Sequence, residues 1–385
     1  MKTFAYQLVL LTIFSISYGF SQEHQPVDTL IEVRNHKIHF SLIKGEGTPI
    51  LFESGAGNDG SVWKPILKEI HEITGATLIT YDRAGFGKST VDTLDTNLSN
   101  HNVIAGILDL EAGLKQLGYD EDIMLVSHSY GGYFSYLYAS RHPNKVKAIV
   151  AIDIVHNYHE DGYAEELVKK MEDKISEWKD SRIGMYYLLS TLVESKNIIA
   201  KTKIPQNIPV FDIEMGADFG STKKDAERWH NCHKNFIESN PNVEGMRAAN
   251  TGHYVWRDNP SLVINVISKY YAKYTNSKNS IAIYDRASDY AIEASNSTRK
   301  NAYSESEINF WGYDMLKKDN TEKALKIFEL NTLLYPESFN TYDSYGEALL
   351  KNGEKEKALE MYRKSVKLNP DNKSALEKIK QLTNE

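Results

Sequence analysis

The chain of 385 residues is poor in cysteine. Its only cysteine is Cys232, so no disulfide can form within the chain and the fold depends on its core. It also lacks a run of about 20 apolar residues, the length that a helix needs to cross a bilayer. A net charge of −7, without a stripe of basic residues, argues against a general nucleic-acid-binding protein. The remaining composition, with 41% hydrophobic and 25% charged residues, is typical of a soluble globular protein with a sizeable core.

The first 21 residues have the pattern of a secretory signal peptide. Lys2 gives a positive start, residues 8–14 are apolar, and small or polar residues follow as far as Gln22. We expect cleavage after Gly19 or Ser21, and therefore a secreted or periplasmic protein with no membrane span after cleavage. The alternative is that this segment stays attached as a membrane anchor.

A Ser-His-Ser-Tyr-Gly-Gly sequence at residues 127–132 separates an apolar strand pattern from a helical pattern. A serine on such a sharp strand-to-helix turn exposes its Oγ to a cleft. The tight backbone requires small residues two positions before and after the serine, and Ser127 and Gly131 meet that requirement. The pattern predicts Ser129 as a nucleophile; the alternative is a serine that merely forms a turn.

A second loop supplies the backbone donors that acyl transfer would need. Residues 49–53 form a short apolar strand that runs into Ser-Gly-Ala-Gly-Asn-Asp-Gly at 54–60. An enzyme of this kind needs two N–H groups where a carbonyl oxygen becomes negative. We expect the N–H of Ala56 and the N–H of Tyr130 to provide them.

Taken in order, these motifs resemble the α/β-hydrolase superfamily, in particular its esterase/lipase-like branch. The further motifs are Asp-Arg-Ala-Gly-Phe-Gly-Lys-Ser at residues 82–89 and Gly-His at 252–253. The resemblance covers about residues 28–275. It implies an α/β fold with a mostly parallel, doubly wound sheet, a helical cap at about 157–206, and a triad in the order nucleophile, acid, histidine.

The resemblance also implies roles for the side chains. Ser129 would attack a carbonyl and form an acyl-enzyme, and His253 would carry the proton. An aspartate would orient the imidazole and stabilise its charged form. We expect Arg83 to brace the glycine-rich loop, and His128 to pack beneath the turn rather than react.

The identity of the acid stays open at this point. Most members place it after the seventh strand as G-x-x-D, and here Gly-Ala-Asp, one residue short of that spacing, ends at Asp218. Asp218 is therefore the first choice. Asp153 follows closely, because some branches place the acid after the sixth strand. Asp212 and Glu214 are the remaining candidates.

Neither a cofactor nor a metal is expected. His230 and His233 stand three residues apart on a predicted helix, as metal ligands can, but no carboxylate or cysteine pattern completes a site.

The last 81 residues contain a repeat with a period of 34. Glycine, alanine, aromatic and proline positions recur at this offset: Gly312 and Gly346, Ala324 and Ala358, Phe328 and Tyr362, Pro336 and Pro370. The period is that of the tetratricopeptide repeat. We expect two repeats and a capping helix over 305–385, behind a linker at 276–304 with a helix at its centre. Such repeats present a surface for a protein or peptide partner, or else only stabilise the enzyme.

The predicted function is that of a carboxylesterase-like serine hydrolase acting on an ester of a small molecule. A serine at the turn argues against epoxide hydrolase or haloalkane dehalogenase chemistry, whose relatives use aspartate there. One alternative is an amide or peptide hydrolase of the aminopeptidase type. A second is a non-catalytic adaptor, in which the hydrolase body is a degenerate scaffold and the repeats carry the function.

Overall fold

The computed structural model describes residues 26–156, 162–220, 222–275, 277–298 and 304–383. The expected signal peptide at 1–21 lies outside these ranges.

The described strands form a single eight-stranded sheet. They are β1 (Val27–Val33), β2 (His36–Ile43), β3 (Ile50–Glu53), β4 (Leu78–Asp82), β5 (Ile123–His128), β6 (Val146–Ile152), β7 (Val210–Met215) and β8 (Val243–Ala248). Their order is β1-β2-β4-β3-β5-β6-β7-β8; β2 is antiparallel to both of its neighbours, and every other pair is parallel. The predicted α/β class with a mostly parallel sheet is confirmed.

Sixteen helices accompany the sheet in the part of the chain that the structure describes. They are α1 (Lys64–Thr74), α2 (Val103–Leu117), α3 (Gly131–Arg141), α4 (Tyr163–Lys170), α5 (Glu172–Ser181), α6 (Ile183–Ser190), α7 (Leu192–Ile199), α8 (Lys223–Ser239), α9 (Val255–Asp258), α10 (Pro260–Tyr274), α11 (Ser280–Thr298), α12 (Glu305–Lys317), α13 (Thr321–Leu334), α14 (Phe339–Lys351), α15 (Lys355–Leu368) and α16 (Lys373–Thr383).

Helices cover both faces of the sheet, which explains why its central strands are apolar along most of their length. The hydrophobic core on one face contains residues of α1 and α10, and the core on the other face contains residues of α2 and α3. All residues of β3, β4 and β5 are buried. The polar residues at the carboxyl ends of these strands therefore lie at one edge of the sheet, where sites form in open α/β folds.

Helices α4 to α7 occupy the segment between β6 and β7, where the sequence predicts a cap. The loop after β4 and helix α6 approach closely, since a Cβ atom added to Gly85 would lie 2.8 Å from the Gly184 backbone. The cap is thus seated on the loops that follow β3 and β4.

The repeats continue the core of the sheet domain rather than standing apart from it. Asn265 of α10 donates a hydrogen bond to the Ala287 carbonyl of α11 at 2.7 Å, and one apolar cluster runs from the sheet through α11 to α12 and α13. Two repeats alone would be marginal, because three are usually needed for independent stability. Packing against α10 and α11 therefore gives the repeats support that two repeats alone would lack; the predicted protein partner stays a prediction.

The two repeat glycines explain why the 34-residue period includes a small residue. A Cβ atom on Gly312 would lie 2.5 Å from the Phe328 ring, and one on Gly346 would lie 3.0 Å from the Tyr362 ring. In each repeat the aromatic ring of the second helix thus fills the space that the glycine of the first helix leaves.

Among the described residues, no helix is both long and apolar enough to cross a membrane.

Candidate active site

Ser129 lies on the sharp turn between β5 and α3. Its φ angle is 52°, in the left-handed region that residues with a Cβ atom seldom adopt. The turn is packed from behind: a Cβ atom on Gly131 would lie 2.7 Å from the Glu53 carbonyl oxygen, and one on Gly132 would lie 2.8 Å from Ile154 Cβ. Only glycine fits at these two positions, which lets α3 start directly against the strands.

His253, in the loop between β8 and α9, joins this serine to an aspartate. Its Nε2 lies 2.9 Å from Ser129 Oγ, and its Nδ1 lies 2.5 Å from Asp153 Oδ2. Asp153 follows β6 directly, is fully buried and has a positive φ angle of 46°. Its second carboxylate oxygen, Oδ1, accepts hydrogen bonds from the Met215 N–H at 3.0 Å and from Trp229 Nε1–H at 2.8 Å. The aspartate is therefore fixed in orientation on both sides.

The ranking of the two aspartates is corrected by this geometry. Asp218, the first choice from the sequence, has an 84% exposed side chain, and its carboxylate lies 3.7 Å from Arg247. Both ring nitrogens of His253 are taken, one by Ser129 and one by Asp153. The Gly-Ala-Asp motif is one residue shorter than G-x-x-D, and this difference was the sequence signal against Asp218.

Asp212 and Glu214, the two candidates ranked below these aspartates, pair with different histidines. They share one face of β7, and the helix α8 that packs there carries His230 and His233. Glu214 contacts His230 Nδ1 at 2.9 Å, and Asp212 contacts His233 Nδ1 at 2.6 Å. Neither carboxylate reaches His253.

Arg83 holds the glycine-rich loop after β3 through its carbonyl groups. Its guanidinium donates to the Ser54 oxygen at 2.6 Å and to the Gly55 oxygen at 2.5 Å, which confirms its predicted bracing role. A Cβ atom on Gly55 would lie 3.1 Å from Ser129 Cβ, so the loop lies beside the serine. Within the described residues, neither the Ala56 N–H nor the Tyr130 N–H donates to a backbone carbonyl group. Their expected donation to an oxyanion stays a prediction.

Glu53 is a fully buried carboxyl group directly before this loop. Burial raises the pKa of Glu53 to about 7, although the nearby Arg83 charge and the hydrogen bonds from the Tyr81 hydroxyl act in the opposite direction. A buried carboxyl group with a raised pKa therefore lies directly before the glycine-rich loop.

His128 supports the loop that carries His253. It is 1% exposed and packs against Trp63 and Trp256. Burial, reinforced by the nearby His253, holds the pKa of His128 well below its usual range. The neutral ring is 2.9 Å from the His253 carbonyl oxygen, to which Nε2–H donates. The expected packing role, rather than a reactive one, agrees with this position.

The cap reaches the glycine-rich loop from the opposite side. A Cβ atom on Gly57 would lie 3.4 Å from Met185 Sδ and 3.8 Å from Arg182 Nη2. On the other flank, Asn58 donates to the Tyr254 hydroxyl at 3.2 Å. The loop is thus enclosed between the cap and the segment that carries His253.

Sequence reasoning did not foresee a buried polar cluster behind the aspartate. The ligand atoms of His156, Asp212 and His233 all lie within 4.8 Å of one another, a spacing that three metal ligands could have. However, the 2.6 Å separation of Asp212 Oδ2 and His233 Nδ1 is that of a strong, charge-assisted hydrogen bond. We therefore treat the three as a hydrogen-bonded cluster. The alternation of Asp212 and Glu214 in a buried strand, matched by histidines at i and i+3, was its signal in the sequence.

Comparison with known proteins agrees with this architecture. Residues 48–178 match the family model described as alpha/beta hydrolase fold, and residues 339–372 match the model of the tetratricopeptide repeat. The chain carries the α/β hydrolase fold, followed by tetratricopeptide repeats. Among solved structures, the fold matches a laboratory-evolved variant of potato epoxide hydrolase StEH1 with a TM-score of 0.51 and 17% identity, over 65% of this chain and 100% of that one. It matches epoxide hydrolase VrEH1 from Vigna radiata with a TM-score of 0.51 and 16% identity, over 66% and 99%.

Proteins of similar sequence are named for different activities or for none. The uncharacterized protein YqjL of Bacillus subtilis is 26% identical over 229 residues, which cover 56% of this chain and 81% of that protein. The sn-1-specific diacylglycerol lipase ABHD11 of Danio rerio is 31% identical over 114 residues, or 29% of this chain and 33% of the lipase. A cis-3-alkyl-4-alkyloxetan-2-one decarboxylase of Shewanella oneidensis is 29% identical over 137 residues, or 33% and 41%. The matches to the lipase and the decarboxylase span less than half of either relative.

Proposed function

We propose that this protein is a serine hydrolase that cleaves an ester of a small molecule through an acyl-enzyme intermediate. The observation that carries the proposal is the continuous contact from Asp153 through His253 to Ser129, at 2.5 and 2.9 Å. These distances allow proton transfer from Ser129 to His253 and a hydrogen bond from His253 to Asp153. The strained backbone at Ser129 supports it, because such strain persists where function requires the geometry.

Each group has a step in the reaction. Ser129 Oγ attacks the ester carbonyl as its proton passes to His253 Nε2, and the charged imidazole then returns that proton to the leaving alcohol. Asp153 accepts the Nδ1–H bond throughout, which fixes the tautomer and stabilises the imidazolium. A water molecule, activated by His253 in the same way, releases the acid and restores the serine.

The glycine-rich loop supplies electrostatic stabilisation. The N–H groups of Ala56 and Tyr130 would donate to the oxyanion of the tetrahedral intermediate. Arg83 binds the carbonyl oxygens of Ser54 and Gly55, so the backbone of the loop is oriented before substrate binds. One such donor contributes about 3 to 4 kcal/mol to transition-state stabilisation in enzymes of this type.

An ester is favoured as substrate by the nucleophile and, more weakly, by one relative. A serine at position 129 stands where epoxide hydrolases of this fold use aspartate, so the structural similarity to those enzymes extends to the fold alone. The diacylglycerol lipase acts, by its name, on a carboxylic ester, and its match covers 29% of this chain. Both features are consistent with ester hydrolysis.

The test is hydrolysis of p-nitrophenyl esters from acetate to palmitate by the purified protein, with Ser129→Ala as the matched variant. Labelling by a fluorophosphonate probe, which requires an activated serine, is measured in parallel. We expect turnover and labelling in the wild type alone. Labelling without turnover would favour an amide or a narrow natural substrate. The absence of both turnover and labelling would favour the non-catalytic adaptor and refute the proposal.

A further inference from the structure

A second histidine–aspartate pair lies behind Asp153, on the side away from His253. His233 Nε2 is 3.5 Å from Asp153 Oδ1, and His233 Nδ1 is 2.6 Å from Asp212 Oδ2. All three side chains are at most 1% exposed. One imidazole ring therefore lies between two buried carboxylates.

The charge of this ring follows from its neighbours. A neutral imidazole has one N–H group and could serve one carboxylate, whereas an imidazolium serves both. Burial opposes a charge on His233, but the Asp212 charge and hydrogen bond outweigh it and raise the pKa of His233. Burial likewise opposes ionisation of Asp212, yet the charge of His233 lowers the pKa of Asp212. The pair is thus a buried cation next to a buried anion.

The other groups facing His233 do not supply a different cation. His156 Nε2 lies 3.0 Å from His233 Nδ1, and burial lowers the pKa of His156. The other nitrogen of this ring, Nδ1, lies 3.2 Å from the Tyr136 hydroxyl, and Nε2 lies 3.4 Å from Asp212 Oδ1. Glu214, the remaining carboxyl group on this face of β7, has a pKa that burial raises, and it is paired with His230.

His233 is not needed to hold Asp153 in place. Asp153 already accepts three hydrogen bonds, from His253, Met215 and Trp229, and at 3.5 Å the contact with His233 is ionic rather than a good hydrogen bond. What His233 adds is charge. Asp153 alone would favour the charged form of His253 at rest, whereas the reaction needs that imidazole neutral so that it can accept the serine proton.

We propose that His233, paired with Asp212, is a positioning residue that places a positive charge behind Asp153 and thereby sets the acid limb of the pH–activity profile. The inference rests on the proposed serine hydrolase function. His233 touches neither substrate nor nucleophile and acts only through Asp153. The cation offsets part of the aspartate's charge and keeps His253 available as a base at lower pH.

The test compares His233→Gln with two variants of its own helix. His230→Gln removes a histidine that pairs with Glu214 and does not contact Asp153, while Trp229→Phe removes a hydrogen bond to the same Asp153 oxygen without removing charge. We expect His233→Gln to move the acid limb of ester hydrolysis, and of fluorophosphonate labelling, to higher pH by about one unit. A shift of this size is expected when one charge less than about 10 Å away is removed at an effective dielectric constant of about 20. On the acid limb this is an about tenfold loss of rate.

The two controls separate charge from packing. We expect His230→Gln to leave the profile unchanged and Trp229→Phe to lower the rate without moving the limb. An unmoved limb in His233→Gln, or an equal movement in Trp229→Phe, would overturn the inference. If His233→Gln does not fold because Asp212 is left unpaired, the double variant Asp212→Asn/His233→Gln removes both charges and is expected to move the limb in the same direction.

A measurement without substrate separates this inference from the proposed function. In wild-type protein labelled with ¹⁵N-histidine, we expect both ring nitrogens of His233 to carry protons at pH 7. A neutral His233 ring would overturn the inference even if ester hydrolysis is observed. An imidazolium in a protein that neither turns over esters nor labels would instead overturn the proposed function. Stoichiometric metal in the purified protein would also overturn the inference, because His233 Nδ1 would then be a ligand rather than a donor.

Discussion

Glu53→Gln should make the protein more stable at pH 8 and leave its stability at pH 5 nearly unchanged. Glu53 is 1% exposed and accepts hydrogen bonds from the Tyr81 hydroxyl at 2.8 and 2.9 Å. Glutamine has the shape of the protonated acid and can still accept from Tyr81 through its amide oxygen. The substitution therefore removes the titration while keeping the packing.

The magnitude follows from the pKa of Glu53, which burial raises from 4.5 to about 7. Between these two values the folded protein holds a proton that the unfolded chain has lost, so the free energy of unfolding falls as the pH rises. Each pH unit is worth about 1.4 kcal/mol, and the full cost is about 3 kcal/mol above pH 7. Glu53→Gln avoids this cost.

The assay is urea unfolding followed by tryptophan fluorescence at pH 5, 6, 7 and 8. Glu46→Gln, at an exposed position in the loop between β2 and β3, serves as the control for removing one surface charge. We expect the stability difference between Glu53→Gln and the wild type to grow with pH towards about 3 kcal/mol, and the control to show no such trend. A difference that is the same at pH 5 and pH 8 would refute the reasoning.

Two further comparisons of variants test the packing and the strain. Gly312→Ala should lower the free energy of unfolding by about 1 to 2 kcal/mol, because the new Cβ atom would lie 2.5 Å from the Phe328 ring. Gly346→Ala should cost less, because its Cβ atom would lie 3.0 Å from the Tyr362 ring. Thermal unfolding of both variants checks this, and equal or stabilising effects would contradict it. Ser129→Gly should be about 1 kcal/mol more stable than Ser129→Ala, because glycine relieves the positive φ angle of 52°; equal unfolding midpoints would show that the turn is not strained.

Local patterns were sufficient to predict the fold, the serine turn and the repeats. The apolar run before Ser129 and the glycines after it constrain one short segment, and Gly312 and Phe328 recur with the period of a helical pair. Such features depend on neighbours in sequence. The sequence therefore carries them in a form that can be read without the structure.

The acid could not be identified in the same way. Asp153 and Asp218 both follow a predicted strand, and only the path of the chain between β8 and α9 decides which of them His253 meets. The pair of Asp212 and His233 was missed for the same reason, since 21 residues separate two groups that lie 2.6 Å apart. Such contacts between distant segments depend on how α8 packs against β7, which sequence patterns leave open.

The most direct test of the account compares Asp153→Asn with Asp218→Asn in the rate of fluorophosphonate labelling at Ser129. Asp153 contacts His253 at 2.5 Å, and Asp218 is an exposed partner of Arg247. Asparagine at position 153 would favour the wrong imidazole tautomer, and we expect a loss of about three to four orders of magnitude. Asp218→Asn should label like the wild type. A large loss in Asp218→Asn together with normal labelling in Asp153→Asn would contradict the proposed triad.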